Sequence, residues 1–313
     1  MNKLKELKAR REDARLRALA IVDKAIAEKR DTTEAEDQDI ERIEAEIKGW
    51  DKQIVRLEIL KAPAKTEEEP ENEDGEDMNL EEDPEYNEDD TEEPDISFWD
   101  DFDYEPLDML NEAAAQKLIF IDVGHGGRDT GAIGHENKKD ELREKTLNLK
   151  VALCLREFLN EAGANFYMVR EKDTYYALLE RPEIANSMGA QLFVSIHNNS
   201  SDHDWPTGTE VHYYSKVDED GRDEMELYGI YSKSVAESVQ KEMLKTLGTF
   251  DRGVKSSPKL AVLNKTDMPA IIIEGAFLSN EEDFEMMKTN EYAMRYAYAA
   301  AKGIIAAMNK AYQ

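Results

Sequence analysis

Five stretches of the chain are apolar nearly throughout: KLIFIDVG, NFYMVR, QLFVSIH, TEVHYYS and AIIIEGAF. A strand that is wet on one face alternates polar and apolar side chains. Runs that do not alternate point to strands buried on both faces, as in a largely parallel sheet sandwiched between helices. Between these runs the apolar period lengthens to three and four residues, which predicts helices over 145–162, 225–247 and 291–312. Gly163 is placed to end the first of them with a left-handed residue. These elements fill 116–313 and make it an α/β domain.

Upstream the pattern differs. Ile40, Ile43, Ile47, Ile54 and Leu57 recur at helical steps, with Trp50 filling the gap, and form a heptad seam. Leu4, Leu7, Ala14, Ile21 and Ala25 share one face of an earlier helix. Thr33 followed by Glu36 is a capping box that would restart the helix after a turn. Region 1–62 therefore reads as an α-helical coiled-coil hairpin. Its apolar stripes need covering by each other, by a second copy in a homodimer, or by a protein partner. Region 63–115 reads as a linker: Thr66 to Glu105 holds about twenty acidic residues and no Lys or Arg. Like-charge repulsion and few apolar side chains predict disorder there. Its end, ISFWDDFDY, sets aromatic residues among acids. Such a segment either packs loosely on the next domain or acts as a latch over a cleft.

The chain has 313 residues and a formal net charge of -30, most of it in that linker. No basic patch stands out, so duplex nucleic acid is not an expected partner. Cys154 is the single cysteine, which excludes an intrachain disulfide. It lies between leucines in an amphipathic run and reads as a buried hydrophobe rather than a nucleophile. The charged N-terminus has no secretory-signal pattern, and no run is long enough to span a bilayer. The expectation is synthesis in the cytoplasm without a signal peptide.

Three apolar runs end in a side chain that can bind or transfer a proton: His125, His197 and Glu274. In an open parallel sheet the carboxyl ends of strands share one edge, where ligands bind. Glu144 stands just before the first long helix, after the loop that leaves His125. Two imidazoles and a carboxylate suit zinc and leave a fourth position for water. A second carboxylate could then serve as general base and acid. The residues alone offer both Glu144 and Glu274 for these two roles. His135, His203 and His212 read as surface or structural residues.

IDVGHGGRDTGAIG, REKTLNLKVA, FVSIHNNS, GTEVHYYS, RGVK and LAVLNKTDMPAIIIEGAFLSN occur in an order that resembles the zinc-dependent N-acetylmuramoyl-L-alanine amidases of cell-wall hydrolases and phage endolysins. The resemblance runs from about Lys117 to the C-terminus. It implies a mixed, mainly parallel sheet of about six strands with helices on both faces. It implies one zinc ion per chain, with ligands His125, Glu144 and His197, and Glu274 as the catalytic carboxylate. Glu144 matches the family position and Glu141 does not. Gly275 departs from the small apolar residue usual after the catalytic Glu. Arg181, Asn199, Arg252 and Lys255 are the implied substrate contacts, with a structural ion pair as the other reading of Arg181; Asn186 is read as structural. The implied activity is hydrolysis of the amide between the lactyl group of N-acetylmuramic acid and L-alanine of peptidoglycan. The protein would reach the wall after release or export, with a phage or prophage origin in view. The helical region bears a weaker resemblance to the scaffold-like coiled coil that precedes some phage capsid proteins. A non-catalytic wall-binding or phage structural protein, and a zinc carboxypeptidase, are the competing readings.

Overall fold

The computed structural model describes residues 102–135, 138–218 and 220–313, with scattered single positions before them. The chain forms two compact units, one made chiefly of Met1–Lys65 and one within Thr66 to Gln313. In the first, the described positions Arg10, Ala14, Arg17, Ile21, Asp39, Arg42 and Ile43 are helical. Ala14 and Ile43, both on the expected apolar stripes, are buried. The rest of the expected hairpin, and the acidic stretch up to Asp101 apart from Ile96 and Phe98, lie outside the described residues.

The second unit is a six-stranded sheet. Its strands are β1 (Leu118–Val123), β4 (Asn165–Met168), β5 (Leu192–Asn199), β6 (Thr209–Tyr213), β7 (Asp251–Ser256) and β8 (Ala270–Phe277), in the order β4-β1-β5-β8-β6-β7. The first four in that order run parallel. β6 runs antiparallel to β8, and β7 follows β6 in parallel. The three central strands are the apolar runs of the sequence, and their side chains are buried on both faces. A two-stranded hairpin, β2 (Ile133–Gly134) and β3 (Leu142–Arg143), stands apart.

Helices α2 (Glu144–Glu161), α5 (Ser232–Leu247) and α8 (Asn290–Ala311) pack together on one face. Gly303 permits the approach of α8 to α5, because a Cβ there would meet the backbone of Val239. Gly275 plays the same part beneath α8: a Cβ would collide with the rings of Tyr292 and Tyr296. The departure at Gly275 is thus matched by two large tyrosines. Their hydroxyls donate to the Asn198 side chain and to the carbonyls of His197 and Ile273, fixing β5 from behind. On the opposite face lies α3 (Glu180–Met188), whose Arg181 meets Asp122 of β1. The short helix α6 (Ala261–Lys265) is tied to it, since the Asn186 amide donates to the Lys265 carbonyl. Asn186 is structural, as expected.

Three differences from the sequence reading have plain causes. The helix expected over 225–247 is two, α4 (Glu224–Tyr228) and α5, because Gly229 takes a left-handed φ of 75° and ends the first. The Glu224 carboxylate then accepts from the backbone and hydroxyl of Ser232 and starts the second. β7, which holds the RGVK motif, is not among the five apolar runs that predicted strands. It is a half-exposed edge strand without an apolar run. Finally, the last residues of the expected linker include a short helix. Asn111 caps α1 (Glu112–Ala115) and donates from its backbone amide and its side chain to Asn309 of α8. The last helix of the unit, α7 (Glu281–Met287), follows β8.

Gly303→Ala should force α8 away from α5. We expect a loss of about 1–3 kcal/mol in unfolding free energy, despite the better helix propensity of alanine. Tm in a thermal melt should fall by about 2–4 °C for each kcal/mol lost.

Candidate metal centre and active site

β1 leads straight into the site. Gly124 lets the chain pass against the His197 ring, where any Cβ would overlap it. His125 then adopts a left-handed φ of 59°, a conformation that costs a non-glycine residue about 1–3 kcal/mol. Several contacts hold it there. Arg181 donates to the His125 carbonyl at 2.9 Å, and Asp129 Oδ1 lies 2.8 Å from His125 Nδ1. With Nδ1 occupied by a carboxylate, Nε2 is the nitrogen turned to the site, as is usual for a metal-ligating histidine.

The loop after His125 returns through β2 and β3 and delivers Glu144 as the first residue of α2. The backbone amides of Glu144 and Lys145 donate to the carbonyls of Ala132 and Thr130, which pins this turn. The Lys145 ammonium adds bonds to the Gly127 carbonyl and Asp173. Glu144 is buried, and both its oxygens are engaged. Oε2 lies 3.1 Å from His125 Nε2, and Oε1 lies 2.9 Å from His197 Nδ1. Oε1 also accepts from the Asn198 amide and the Asn148 side chain, and Oε2 from the Ala132 amide. One ligand atom from each of His125, Glu144 and His197 falls within 4.8 Å of the others. Gly131 closes the cradle; a Cβ there would come within 2.6 Å of Glu144 Oε2 and of the His125 ring.

The electrostatics are those of a cation site. Burial disfavours the imidazolium of His125, but Glu144 and Asp129 outweigh it and lift its pKa to about 10. Burial likewise opposes the Glu144 carboxylate, yet the two histidines hold its pKa well below the usual range. A cradle charged in this way favours a proton or a cation at its centre. Two imidazoles and one buried carboxylate are a donor set that a divalent cation would take over from that proton. The residues fit a metal.

Glu274 sits beside them, paired in register with His197 on the neighbouring strand. Its Oε2 is buried with no hydrogen-bond partner among the described residues. Burial, together with the Glu144 and Glu210 carboxylates, pushes its pKa well above the ordinary glutamate value. Two carboxylates at one sheet edge thus have opposed proton affinities, the arrangement that separates a ligand from a proton carrier.

The remaining expected residues divide. Arg181 takes the structural ion-pair place that was one of its two readings. It is 4% exposed, and its guanidinium donates to Asp122 at 2.7 Å and to the carbonyls of Tyr176, Val123 and His125. Asn199, Arg252 and Lys255 do converge, but on a residue the sequence reading passed over: all three donate to the carboxylate of Glu210. His212 joins the same carboxylate. His135 bridges Asp140 and Glu281 against the Phe284 ring, a structural place. Cys154 is fully buried and burial pushes its thiol up to about 12, so it is no nucleophile. Asp129, Asn148 and Asn198, which orient the ligands, also went unread. The one signal for Asp129 was its place four residues after His125.

The aromatic segment is no latch over this edge in its described part. The Tyr104 hydroxyl donates to Glu161, and its ring meets Phe158 edge-on. Glu161 ends α2 where Glu144 begins it, about 26 Å away along a helix of 18 residues. A groove of about 780 Å³ on that flank, lined by Phe102, Tyr104, Lys245, Arg295 and Tyr298, is separate from the cradle.

A sheet edge that gathers a three-donor metal cradle and a proton-binding carboxylate has the parts of a metal-dependent hydrolase. Residues 119–306 match the family described as N-acetylmuramoyl-L-alanine amidase, and the chain belongs to that enzyme family. It is 36% identical over 197 residues to the N-acetylmuramoyl-L-alanine amidase LytC of Bacillus subtilis (strain 168), covering 63% of this chain and 36% of LytC. It is 34% identical over 193 residues to the sporulation-specific N-acetylmuramoyl-L-alanine amidase of the same organism, covering 61% of this chain and 68% of the relative. The catalytic domain of CwlV, an N-acetylmuramoyl-L-alanine amidase from Bacillus (Paenibacillus) polymyxa var. colistinus, superposes with a TM-score of 0.53 at 32% identity. That superposition covers 60% of this chain and 96% of the CwlV domain. The chain spans about a third of LytC, so the likeness concerns the catalytic domain.

Asp129→Asn should weaken divalent-metal affinity about 10–100-fold by releasing the His125 ring, measured by competition with a chromogenic chelator. A second expectation concerns acid. Burial opposes the Asp122 carboxylate, but Arg181 and Ser195 hold its pKa below the ordinary value. Its stabilisation is therefore present above the unfolded pKa of about 3.9 and is lost as pH falls through the lower folded value. Asp122→Asn should cost about 3–5 kcal/mol at pH 7 by stranding Arg181. The gap to the wild type in urea midpoint should narrow at acid pH.

Proposed function

We propose that this protein is a zinc-dependent peptidoglycan amidase that cleaves the bond between the lactyl carbonyl of N-acetylmuramic acid and L-alanine. The observation that carries the reading is the cradle of His125, Glu144 and His197 with Glu274 in register beside it. Zinc held by those three side chains would bring the pKa of a bound water to near 7 and polarise an amide carbonyl. Glu274 takes the proton of the attacking water at its carboxylate and returns it to the departing L-alanine amine. Its raised proton affinity suits both transfers. Glu144, Asn148 and Asn198 keep the imidazoles in place. Asn199, Arg252 and Lys255 converge on Glu210, which is paired in register with Glu274.

Family membership supports a wall polymer as substrate. Among the described residues no helix is long and apolar enough to cross a membrane. Action at the wall after export or release, in remodelling or in lysis, is the reading that suits such a domain. Dimerisation or partner docking through region 1–62 stays an expectation from its apolar stripes.

Glu274→Gln should retain one zinc per chain and lose about 10²–10⁴-fold in kcat. His197→Ala should lose zinc on dialysis together with activity. Mass spectrometry of digested peptidoglycan should show glycan freed of intact stem peptides. Release of terminal D-alanine alone would make the protein a carboxypeptidase, and a zinc-loaded but inert protein would make it a binding module.

A further inference from the structure

The hydrolysis described above assigns steps to three ligands and Glu274, and Glu210 enters it only as the neighbour of Glu274. Yet Glu210 is only 4% exposed and lies directly across from Glu274 in the β6–β8 register. A buried carboxylate beside the proton carrier is costly unless it is paired. It is paired with care. Oε2 accepts from Arg252 Nε and Lys255 Nζ, each at 2.6 Å. Oε1 accepts from His212 Nε2 at 2.9 Å and Asn199 Nδ2 at 3.2 Å.

We infer that Glu210 is a positioning residue that holds Arg252 and Lys255 as a receptor for a carboxylate on the substrate, so that the enzyme prefers stem peptides whose residue after L-alanine keeps its α-carboxylate free rather than amidated. This deepens, and rests on, the amidase reading of the same site.

The charge balance supports it. Glu210 accepts from two cations, so within this hydrogen-bonded group the positive charges outnumber the negative one, with Glu274 the further carboxylate across the strand. Both cations are held to one oxygen, which removes the rotamer freedom that a long side chain would otherwise lose on binding. Arg252 also lies over the Phe277 ring, its guanidinium 4.7 Å from the centroid. The side chains of Arg252 and Lys255 are 27% and 39% exposed, against 6% for Glu210. Arg252 Nη1 also donates to the Thr207 carbonyl at 3.4 Å, and the N–H groups left over on the two side chains lie in their partly exposed portions. Lys255 makes one hydrogen bond among the described residues, to Glu210, out of the three its ammonium can donate.

The reach also fits. Adjacent strands are about 4.7–4.9 Å apart, so β7 lies about 10 Å from Glu274 on β8. An extended peptide advances about 3.3–3.6 Å per residue. A scissile amide placed at Glu274 therefore sets the next residue within reach of a lysine or arginine on β7. A carboxylate there forms charge-assisted hydrogen bonds, roughly twice as strong as those of an amide.

The test uses two soluble disaccharide peptides that differ only in that group, carboxylate or carboxamide. Steady-state kcat/KM is measured on the zinc-loaded full chain and on Lys255→Gln and Glu210→Gln. The wild type should favour the carboxylate about tenfold, chiefly through KM. Both variants should bring the ratio close to one. A merely structural Glu210 would lower activity on the two substrates alike and leave the ratio as it was, which would overturn the inference. If Glu210→Gln fails to fold, Lys255→Gln reads the same ratio from a more exposed position. Equal cleavage of both substrates by the wild type at the lactyl–alanine bond would overturn the inference and leave the amidase reading standing. Cleavage of neither would bring down both.

Discussion

The site depends on one buried carboxylate. Glu144 meets an imidazole with each oxygen and takes three further hydrogen bonds from Ala132, Asn198 and Asn148. Burying such a charge is unfavourable unless every lone pair is answered. Here each answer comes from a different part of the chain: the loop after β1, the end of β5 and the next turn of α2. The carboxylate therefore binds these three elements into one edge. The cradle exists only when all of them are in place, which couples the chemistry to the fold.

Proton affinity at that edge is divided by environment and not by residue type. Glu144 and Glu274 are the same side chain, the first buried at the start of α2 and the second half-buried on β8 with one buried oxygen. Burial opposes the charge of the first, but the histidines around it lower its pKa, while burial and then the flanking carboxylates raise that of the second. One is thereby kept charged to hold a cation and the other is left able to carry a proton. Glu210 contributes to that division and is itself neutralised from the far side by β7. The antiparallel turn of β6 makes this possible. It brings the start of β6, and with it the start of β7, to the edge where the parallel strands end.

The same logic explains the floor of the site. Arg170 and Arg181 are both buried and both donate to carbonyls of the β1 end. Burial and the nearby Arg181 charge lower the pKa of Arg170 to about 9. Two cations beneath His125 are tolerable because Asp122 pairs with one and carbonyl oxygens surround both. They hold a histidine in a left-handed conformation that it would not keep unaided.

Local pattern determined much of this protein. The five apolar runs became strands, and Gly163 ended a helix where its freedom allows. His125 follows the end of β1, His197 and Glu274 lie in the later halves of β5 and β8, and Glu144 opens α2. Each of these features is written within a few consecutive residues, because period and turn chemistry are local. Only the tertiary structure decided which charges meet. Arg181 turned inward to Asp122, 59 positions away, rather than toward substrate. Glu210 drew Arg252 and Lys255 from an edge strand with no apolar run to reveal it. Tyr104 packed at the far end of α2 rather than over the cleft. A charged side chain takes its role from the partner that answers it, and chain spacing does not name that partner.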